Sequence, residues 1–349
     1  MAERDDIGAI DREIIGLISR RTELYLQELR KRPAGDPFLA DERSRLFELI
    51  DSCNAGPLGT DTIRRIYTDI MSASMAAVAP VHVAFLGPEG TFTAIAVKEL
   101  FGESITPMPQ RTIQDVFLQV EAGAARYGVV PIENSTEGAV TYTMDEFMET
   151  SLVIMAEQYV RVTYSLLSRG SDMAAVKKIY THPQTLGQCK SWIRANLPYA
   201  EIVSVDSTSR AAEIASQEEG AAAIASGLAG EIYTLNTLAS MIEDSRQNYT
   251  RFFLVGKKSS APTGKDKTSL VCAVKDRPGA LLDLLKPFSE AGINMTRIES
   301  RPDKKKMWEY NFFIDILGHA EDGTVRKTLE KVKDETIFLK ILGSYPSGS

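Results

Sequence analysis

Short apolar runs that end in polar clusters recur through the middle of this chain, and they constrain its fold more than any other feature. A stretch with helical periodicity follows most of them, and strands that alternate with helices predict an α/β sheet. Ligands of such sheets bind at the carboxyl ends of the strands, so we expect the clusters to line one cleft. The segment from Val81 to Lys258 is long enough for two α/β lobes around that cleft. The clusters are Gly87 to Thr93, Glu133 to Ser135, Thr181 to Gln184, Asp206 to Ser209, and Ser226.

A further strand is predicted where the polar tetrad Asn248-Tyr249-Thr250-Arg251 runs directly into the apolar residues Phe252 to Val255. The tetrad places a hydroxyl and a guanidinium at the mouth of a buried strand. A guanidinium carries a fixed fork of N–H donors that matches a carboxylate. The stretch therefore predicts an anion-binding site.

Residues 1–79 are predicted to form an all-α domain of three helices, at about 1–32, 39–52 and 60–78. The first helix carries an apolar stripe with spacings of mostly three and four residues: Ile7, Ile10, Ile14, Leu17, Ile18, Leu24 and Leu29. A helical unit of this size is marginal by itself, so we expect dimerisation. Arg21 falls on the stripe; either its stem covers apolar surface or it pairs with a Glu, or it binds an anionic ligand within the bundle.

Residues 259–267 have the composition of a linker, and residues 268–349 are predicted to form a separate small module. Its order is β-α-β-β-α-β, the ferredoxin-like arrangement. The third strand shows alternation at Trp308, Tyr310, Phe312 and Ile314. Because the module has no pair of nucleophile and base, a binding or regulatory role is expected.

Charge and cysteine content exclude several functional classes. The net charge of −7 and pI near 5.3 argue against general nucleic-acid binding. The three cysteines are too widely spaced for a disulfide framework or a CxxC metal site, and no metal or cofactor is expected. The N-terminal residues do not read as a secretory signal, and no window is apolar enough to span a bilayer, so we expect a cytoplasmic protein without membrane contact.

Four of these motifs, in order and in spacing, resemble the successive signatures of the prephenate dehydratase family. The carboxyl-terminal module is similar to an ACT domain, and the whole chain resembles a bifunctional chorismate mutase/prephenate dehydratase. The resemblance implies a two-lobed catalytic domain of the type II periplasmic-binding-protein kind over residues 80–258. The motifs are Gly87-Pro88-Glu89-Gly90-Thr91-Phe92-Thr93, Pro131-Ile132-Glu133-Asn134-Ser135, His182-Pro183-Gln184 with Gln188-Cys189, and Asn248-x-Thr250-Arg251-Phe252.

By this resemblance, Thr250 lies beside the hydroxyl that leaves prephenate. A threonine hydroxyl is too weak an acid to protonate that group outright, so Glu133 is a candidate proton source if burial raises its pKa. Arg251 is expected to clamp a carboxylate, and His182 to be either structural or adjacent to substrate. The other expected site residues are the neutral donors Asn134, Ser135 and Gln188, and the turn Thr91, Phe92 and Thr93, in which Phe92 could equally serve core packing.

For the ACT module, the resemblance implies feedback inhibition by L-phenylalanine bound between paired modules. Glu299 and Arg301 could instead be an exposed pair on one strand. Arogenate dehydratase and a non-enzymatic amino-acid sensor remain alternative functions. The expected effector residues are Gly279, Ala280, Leu281, Leu282 and Asn294, together with Glu299, Ser300, Arg301 and Pro302.

In the helical domain, Arg4, Arg21, Arg32 and Ser74 match residues of the chorismate mutase family. Two positions depart from it. The Arg-Glu pair of the second helix is replaced by Glu42-Arg43, in reversed order, and the Gln or Glu expected one turn after Ser74 is Val78. Reversal turns each side chain by about 100° around a helix. These departures argue against mutase activity.

Overall fold

The computed structural model describes residues 2–31, 38, 40–275, 277–302 and 310–348, with side chains from Asp6 onward. The amino-terminal part contains the three predicted helices: α1 (Ala2–Lys31), α2 (Ala40–Cys53) and α3 (Thr60–Ala76). Most of the apolar stripe of α1 is exposed in the single chain, with Ile10 and Leu17 more than half accessible, whereas Leu29 at its end is buried. Arg4 lies within α1, but its side chain and all of Arg32 fall outside the described residues.

The first α/β lobe is a mixed sheet with strand order β2-β1-β3-β11-β5 and helices on both faces. The parallel strands β1, β2 and β3 come from one segment, whereas β11 is antiparallel and returns to this lobe from the second one. The elements are β1 (His82–Leu86), α4 (Phe92–Phe101), β2 (Thr106–Gln110), α5 (Ile113–Glu121), β3 (Tyr127–Asn134), β4 (Gly138–Ala139), α6 (Thr141–Glu149), β5 (Val153–Arg161) and β11 (Tyr249–Gly256).

The second lobe is a five-stranded sheet with order β10-β6-β9-β7-β8. The chain crosses from the first lobe to the second between β5 and β6 and returns between β10 and β11, so that two segments link the lobes as in type II periplasmic binding proteins. The predicted two-lobed α/β architecture is therefore confirmed. Its elements are β6 (Ser165–Ser168), β7 (Lys178–Thr181), α7 (Pro183–Gln188), α8 (Lys190–Asn196), β8 (Glu201–Ser204), α9 (Thr208–Gln217), β9 (Ala221–Ala225), α10 (Gly227–Ile232) and β10 (Asn236–Ser240).

Strand β11 is the buried centre of the first lobe. Its side chains alternate between two apolar cores: Phe252 and Leu254 pack on the α4 side, and Phe253 and Val255 pack on the α5 side. Each of these residues is at most 2% exposed. The β-prone run of the sequence is therefore a strand covered on both faces, and Phe252 belongs to the core.

The carboxyl-terminal module has the predicted β-α-β-β-α-β order, with strands arranged β13-β14-β12-β15, all antiparallel. Strand β12 begins at Asp266, so the last two residues of the predicted linker are part of it and are buried. Trp308 lies outside the described residues. The elements are β12 (Asp266–Val274), α11 (Ala280–Glu290), β13 (Met295–Pro302), β14 (Tyr310–Leu317), α12 (Gly323–Glu335) and β15 (Thr336–Pro346).

The module is not a separate body, contrary to the sequence prediction. One face of its sheet packs on α11 and α12, and the other shares an apolar core with the first lobe. Phe313 and Tyr345, for example, are buried in the same cluster as Phe253. The alternating residues of β14 predicted one apolar face for the sheet. They gave no information about the opposite face, which the first lobe covers. Among the described residues, no helix is long and apolar enough to cross a membrane.

Candidate active site

Two neighbouring strands, β3 and β11, carry the polar residues that the sequence singled out. They are antiparallel, with Asn134 opposite Thr250 and Glu133 opposite Arg251. Paired residues lie on the same side of a sheet and their chain neighbours on the other. We call the side of Asn134 and Thr250 the front and the side of Glu133 and Arg251 the back.

On the front, hydrogen bonds fix the orientation of the Asn134 amide. Its Oδ1 accepts from the backbone N–H groups of Thr136 (2.9 Å) and Glu137 (3.1 Å) and from the Thr136 hydroxyl (2.6 Å). Its Nδ2 must then point the other way, and it donates to Thr250 Oγ1 at 2.9 Å. Since Thr250 accepts this bond, its own hydroxyl hydrogen is free to point elsewhere.

The chain of amides continues from Asn134 into the second lobe. Asn248 accepts from Asn134 Nδ2 at 2.8 Å and donates to Gln188 Oε1 at 2.9 Å. Gln188 in turn donates to the Glu137 carboxylate at 3.3 Å. Gln188 ends α7, so the network joins the two lobes. Ser135 reinforces the same corner, because its hydroxyl accepts from Tyr249 N and donates to Gln247 O.

Two members of this network were absent from the predicted site. Asn248 stood in the polar tetrad, but its amide was given no role although it is 2% exposed and links Asn134 to Gln188. Glu137 follows Asn134 by three residues and lies outside the predicted cluster Glu133 to Ser135. A carboxylate so close in sequence to an Asn at the end of a strand could have indicated that the two belong to one network.

Arg251 does not face the cleft, which corrects its predicted role as a substrate clamp. On the back of β11 it is 5% exposed, and it donates to Glu157 (2.7 Å), Asp315 (2.6 Å) and the Tyr345 hydroxyl (3.0 Å). Burial opposes its charge, but the surrounding acidic groups raise the pKa of Arg251 above its usual value. Asp315 and Tyr345 belong to the carboxyl-terminal module, so this guanidinium joins two domains.

Glu133 also points to the back, away from Thr250. One carboxylate oxygen lies 3.2 Å from Nε of Arg297, on β13, and 4.0 Å from Nη1 of Arg251. The prediction that Glu133 supplies a proton at the front of the strand is therefore wrong for this arrangement: successive side chains of a strand point to opposite faces.

The turn between β1 and α4 lies against the second lobe. Thr91 is the N-cap of α4, and Phe92 packs edge-on against Tyr164 with 5.5 Å between ring centres. Ser226 donates to Gly90 O at 2.6 Å, and Ser209 donates to Glu89 O. His182 is the N-cap of α7, with Nδ1 accepting from Gln184 N, and Thr93 is buried. The strand-end clusters are thus brought together between the lobes.

Comparison with known proteins agrees with this geometry. The sequence model of the prephenate dehydratase family matches residues 83–260, and that of the ACT domain matches residues 268–334. A bifunctional chorismate mutase/prephenate dehydratase from Aquifex aeolicus is 44% identical, covering 98% of this chain and 96% of the relative. This chain belongs to the bifunctional chorismate mutase/prephenate dehydratase family.

Other members of the family support the assignment. The bifunctional protein of Stutzerimonas stutzeri is 41% identical over 99% of this chain and 97% of its own length. The prephenate dehydratase of Arthrobacter aurescens, solved in complex with L-Phe, superposes with a TM-score of 0.71 and 37% identity, covering 76% of this chain and 90% of that one. The chain therefore carries a prephenate dehydratase domain followed by an ACT domain.

In the ACT domain of this dehydratase, the predicted effector residues divide between two faces. Gly279, at φ +84°, precedes α11, and the nearby Leu281 and Leu282 are 40% and 68% exposed. Asn294, Ser300 and Pro302 are exposed as well, whereas Ala280 is buried. Arg301 points the other way and forms two bonds with Asp145 of α6, at 2.7 and 2.8 Å. Arg301 therefore does not form the exposed pair with Glu299 that the sequence left as an alternative.

In the mutase-like helices, Ser74 is buried and shares a 3.0 Å hydrogen bond with Thr22 of α1. Arg21 is half-buried, and its Nη1 has no hydrogen-bond partner in the described part of the chain. Arg43 stacks on Phe47 and donates to Glu99 O of the dehydratase domain. Burial lowers the pKa of Arg43 to about 10. Arg43 thus contacts the dehydratase domain through Glu99, and both residues line a cavity of about 820 Å³.

Proposed function

We propose that the chain converts prephenate to phenylpyruvate, CO₂ and water, and that L-phenylalanine bound at the ACT domain inhibits this reaction. The observation that carries the proposal is the oriented chain of amides that ends on the Thr250 hydroxyl. Prephenate has a ring hydroxyl that must leave and a ring carboxylate that must depart as CO₂. A fixed neutral donor beside the leaving oxygen is what this fragmentation needs.

In this proposal, Thr250 donates a hydrogen bond to the departing hydroxyl. As the C–C bond to the carboxylate breaks, its electron pair enters the ring and expels the hydroxyl, which takes up one proton from solvent and leaves as water. Asn134 holds Thr250 Oγ1 as an acceptor, so the threonine hydrogen is directed at the substrate rather than at the protein. Aromatisation supplies the driving force, and neither Glu133 nor a cofactor takes part.

The substrate carboxylates require donors other than Arg251. We place one carboxylate against the turn Thr91 to Thr93, where the start of α4 offers backbone N–H groups and the positive end of its dipole. Gln188 and Ser135 provide further neutral groups at the same corner, and His182 remains a candidate neighbour of the substrate.

The test is direct assay of the purified chain with prephenate, followed by the absorbance of phenylpyruvate in base. We expect product in the absence of phenylalanine and less product in its presence. Turnover of arogenate but not prephenate would move the assignment to arogenate dehydratase. Absence of product from either substrate, with phenylalanine still bound, would favour the amino-acid sensor.

We also propose that the chain works as a homo-oligomer, paired through the exposed stripe of α1, and that it acts in the cytoplasm. The domains would divide at 1–79 and 80–258 as the sequence predicts, with the linker of 259–267 shortened to 259–265 because β12 begins at Asp266. For the helical domain we propose little or no mutase turnover, because Arg43 is engaged with the dehydratase domain and Val78 cannot replace an amide or acid.

A further inference from the structure

Strand β13 has two faces that look toward two different sites. Its exposed face carries Ser300 and lies on the α11 side of the ACT sheet, where the effector is expected. Its other face meets the dehydratase domain through two arginines: Arg297 lies against Glu133, and Arg301 binds Asp145. A shift of β13 would therefore change both the expected effector site and the contacts with the dehydratase domain.

Glu133 is one residue from Asn134, so the contact with Arg297 lies directly behind the amide that orients Thr250. The two residues share β3, and their side chains leave it in opposite directions. Movement of Glu133 by its ionic partner would therefore turn or shift the Asn134 amide in the front network. The residues of the C-terminal module thus reach the site without entering the cleft.

The Arg297–Glu133 contact differs in kind from the neighbouring contact of Arg251. Arg251 bonds Glu157, Asp315 and Tyr345 and forms a fixed joint between the domains. The Arg297 side chain is only 9% exposed, yet its Nε and Nη2 have no hydrogen-bond partner in the described residues, although Nε lies 3.2 Å from Glu133. Because a buried donor without an acceptor is costly, a small displacement that completes its bonds is favourable.

We propose that the Arg297–Glu133 pair transmits the state of the phenylalanine site to Asn134 and Thr250. The proposal rests on the function proposed above. Effector binding beside α11 displaces β13, and Arg297 then completes its hydrogen bonds with Glu133. Because Glu133 and Asn134 are neighbours on β3, this change alters the front network. Arg297 and Glu133 are then coupling residues and touch neither substrate nor effector. The Arg251 joint keeps the domains docked while the pair changes.

The test compares Arg297→Gln, Glu133→Gln and the double variant with the wild-type chain. Without phenylalanine we expect kcat and KM for prephenate within about threefold of wild type, since neither side chain faces the cleft. With saturating phenylalanine we expect each single variant to keep at least about half of its uninhibited turnover, and the double variant to keep no more than the single variants. Phenylalanine binding, measured by calorimetry without prephenate, should stay within threefold of wild type.

The matched control is Lys340→Met. Lys340 also crosses between the two domains, and the hydrogen bonds that it forms among the described residues go to Phe147 O (2.8 Å) and Thr150 O, outside β3 and β11. This variant should keep wild-type inhibition. In the wild type, amide hydrogen exchange of residues 132–136 should change when phenylalanine is added, and in Arg297→Gln it should not.

The possible results distinguish the coupling proposal from the alternatives. Wild-type inhibition in Arg297→Gln and Glu133→Gln would overturn the coupling while leaving the proposed function intact. Loss of phenylalanine binding in Arg297→Gln would make Arg297 part of the effector pocket and also overturn it. Equal loss of inhibition in Lys340→Met would reduce the effect to domain docking. A wild-type chain without prephenate turnover or without inhibition would sink both proposals.

Discussion

At the scale of single residues, the direction of each hydrogen bond in the front network matters more than the number of bonds. Asn134 is held by backbone donors on one side and faces Thr250 and Asn248 on the other. The Glu137 carboxylate can only accept from Gln188, which fixes the far end of the chain. Both ends therefore determine where the Thr250 hydroxyl points.

Replacing Thr250 by Ala should lower kcat for prephenate by about 10² to 10³, because a donor aimed at developing negative charge is lost. KM should change by less than about threefold, since the hydroxyl acts in the transition state. Thr250→Ser, which keeps the hydroxyl, is the control and should retain more turnover. Steady-state kinetics measures both, and a loss confined to KM would move the chemistry elsewhere.

Asn134→Ala and Gln188→Ala should each reduce kcat/KM, and their effects should not add. The two side chains are joined through Asn248, so removal of either one releases the same chain of amides. The double variant should be only slightly worse than the more damaged single variant. A product of the two single effects, measured in the same assay, would show that the amides act independently.

At the scale of elements, β3 and β11 join the dehydratase site to the carboxyl-terminal module. Their front faces hold the site, and their back faces hold Glu133 and Arg251 against strands β13, β14 and β15. A strand exposes alternate residues to opposite sides, so one pair of strands serves catalysis and docking at once. Changes on the back should therefore affect stability more than chemistry.

Asp315→Asn should lower the free energy of unfolding by about 3 kcal/mol, because it leaves a buried guanidinium with less compensating charge. Asp315 accepts from both Arg251 (2.6 Å) and Ser269 (2.5 Å), and it is 3% exposed. The shift of the urea unfolding midpoint of the full chain measures the loss. Asp283→Asn, in the partly exposed Arg277–Asp283 pair, should cost less than about 1 kcal/mol. Equal effects of the two variants would contradict a special role for the buried cluster.

At the scale of the whole molecule, α1 leaves an apolar stripe without cover. Ile7, Ile10, Ile14 and Leu17 are each about half exposed or more in the single chain. Exposed apolar surface of this extent marks an interaction site, and a second α1 has the matching pattern.

Leu17→Glu should therefore shift the chain toward monomer in light scattering coupled to gel filtration, because a buried charge in the seam is costly. Glu23→Lys, on the opposite side of α1, is the control and should leave the assembly unchanged. An oligomer that persists in Leu17→Glu would place the interface on another surface.

A large part of the fold could be predicted from the sequence, because local periodicity decides it. The three helices, the strands that end in polar clusters, the β-α-β-β-α-β order and the motif with Asn134 and Thr250 all follow from patterns within a few residues. The boundary at Asp266 was missed because a charged residue that is buried by tertiary contacts reads as linker.

The sequence by itself determined the strands that end in polar clusters and the residue types at those ends, but it did not mark β2, β5, β6 or β10, which no such cluster follows. Tertiary structure alone decided what each side chain meets. Thr250 and Arg251 are adjacent in the chain, yet one faces the cleft and the other is buried against Asp315 and Tyr345. The physical reason is that an ion pair or a domain contact joins residues far apart in sequence, and no local pattern records its partner.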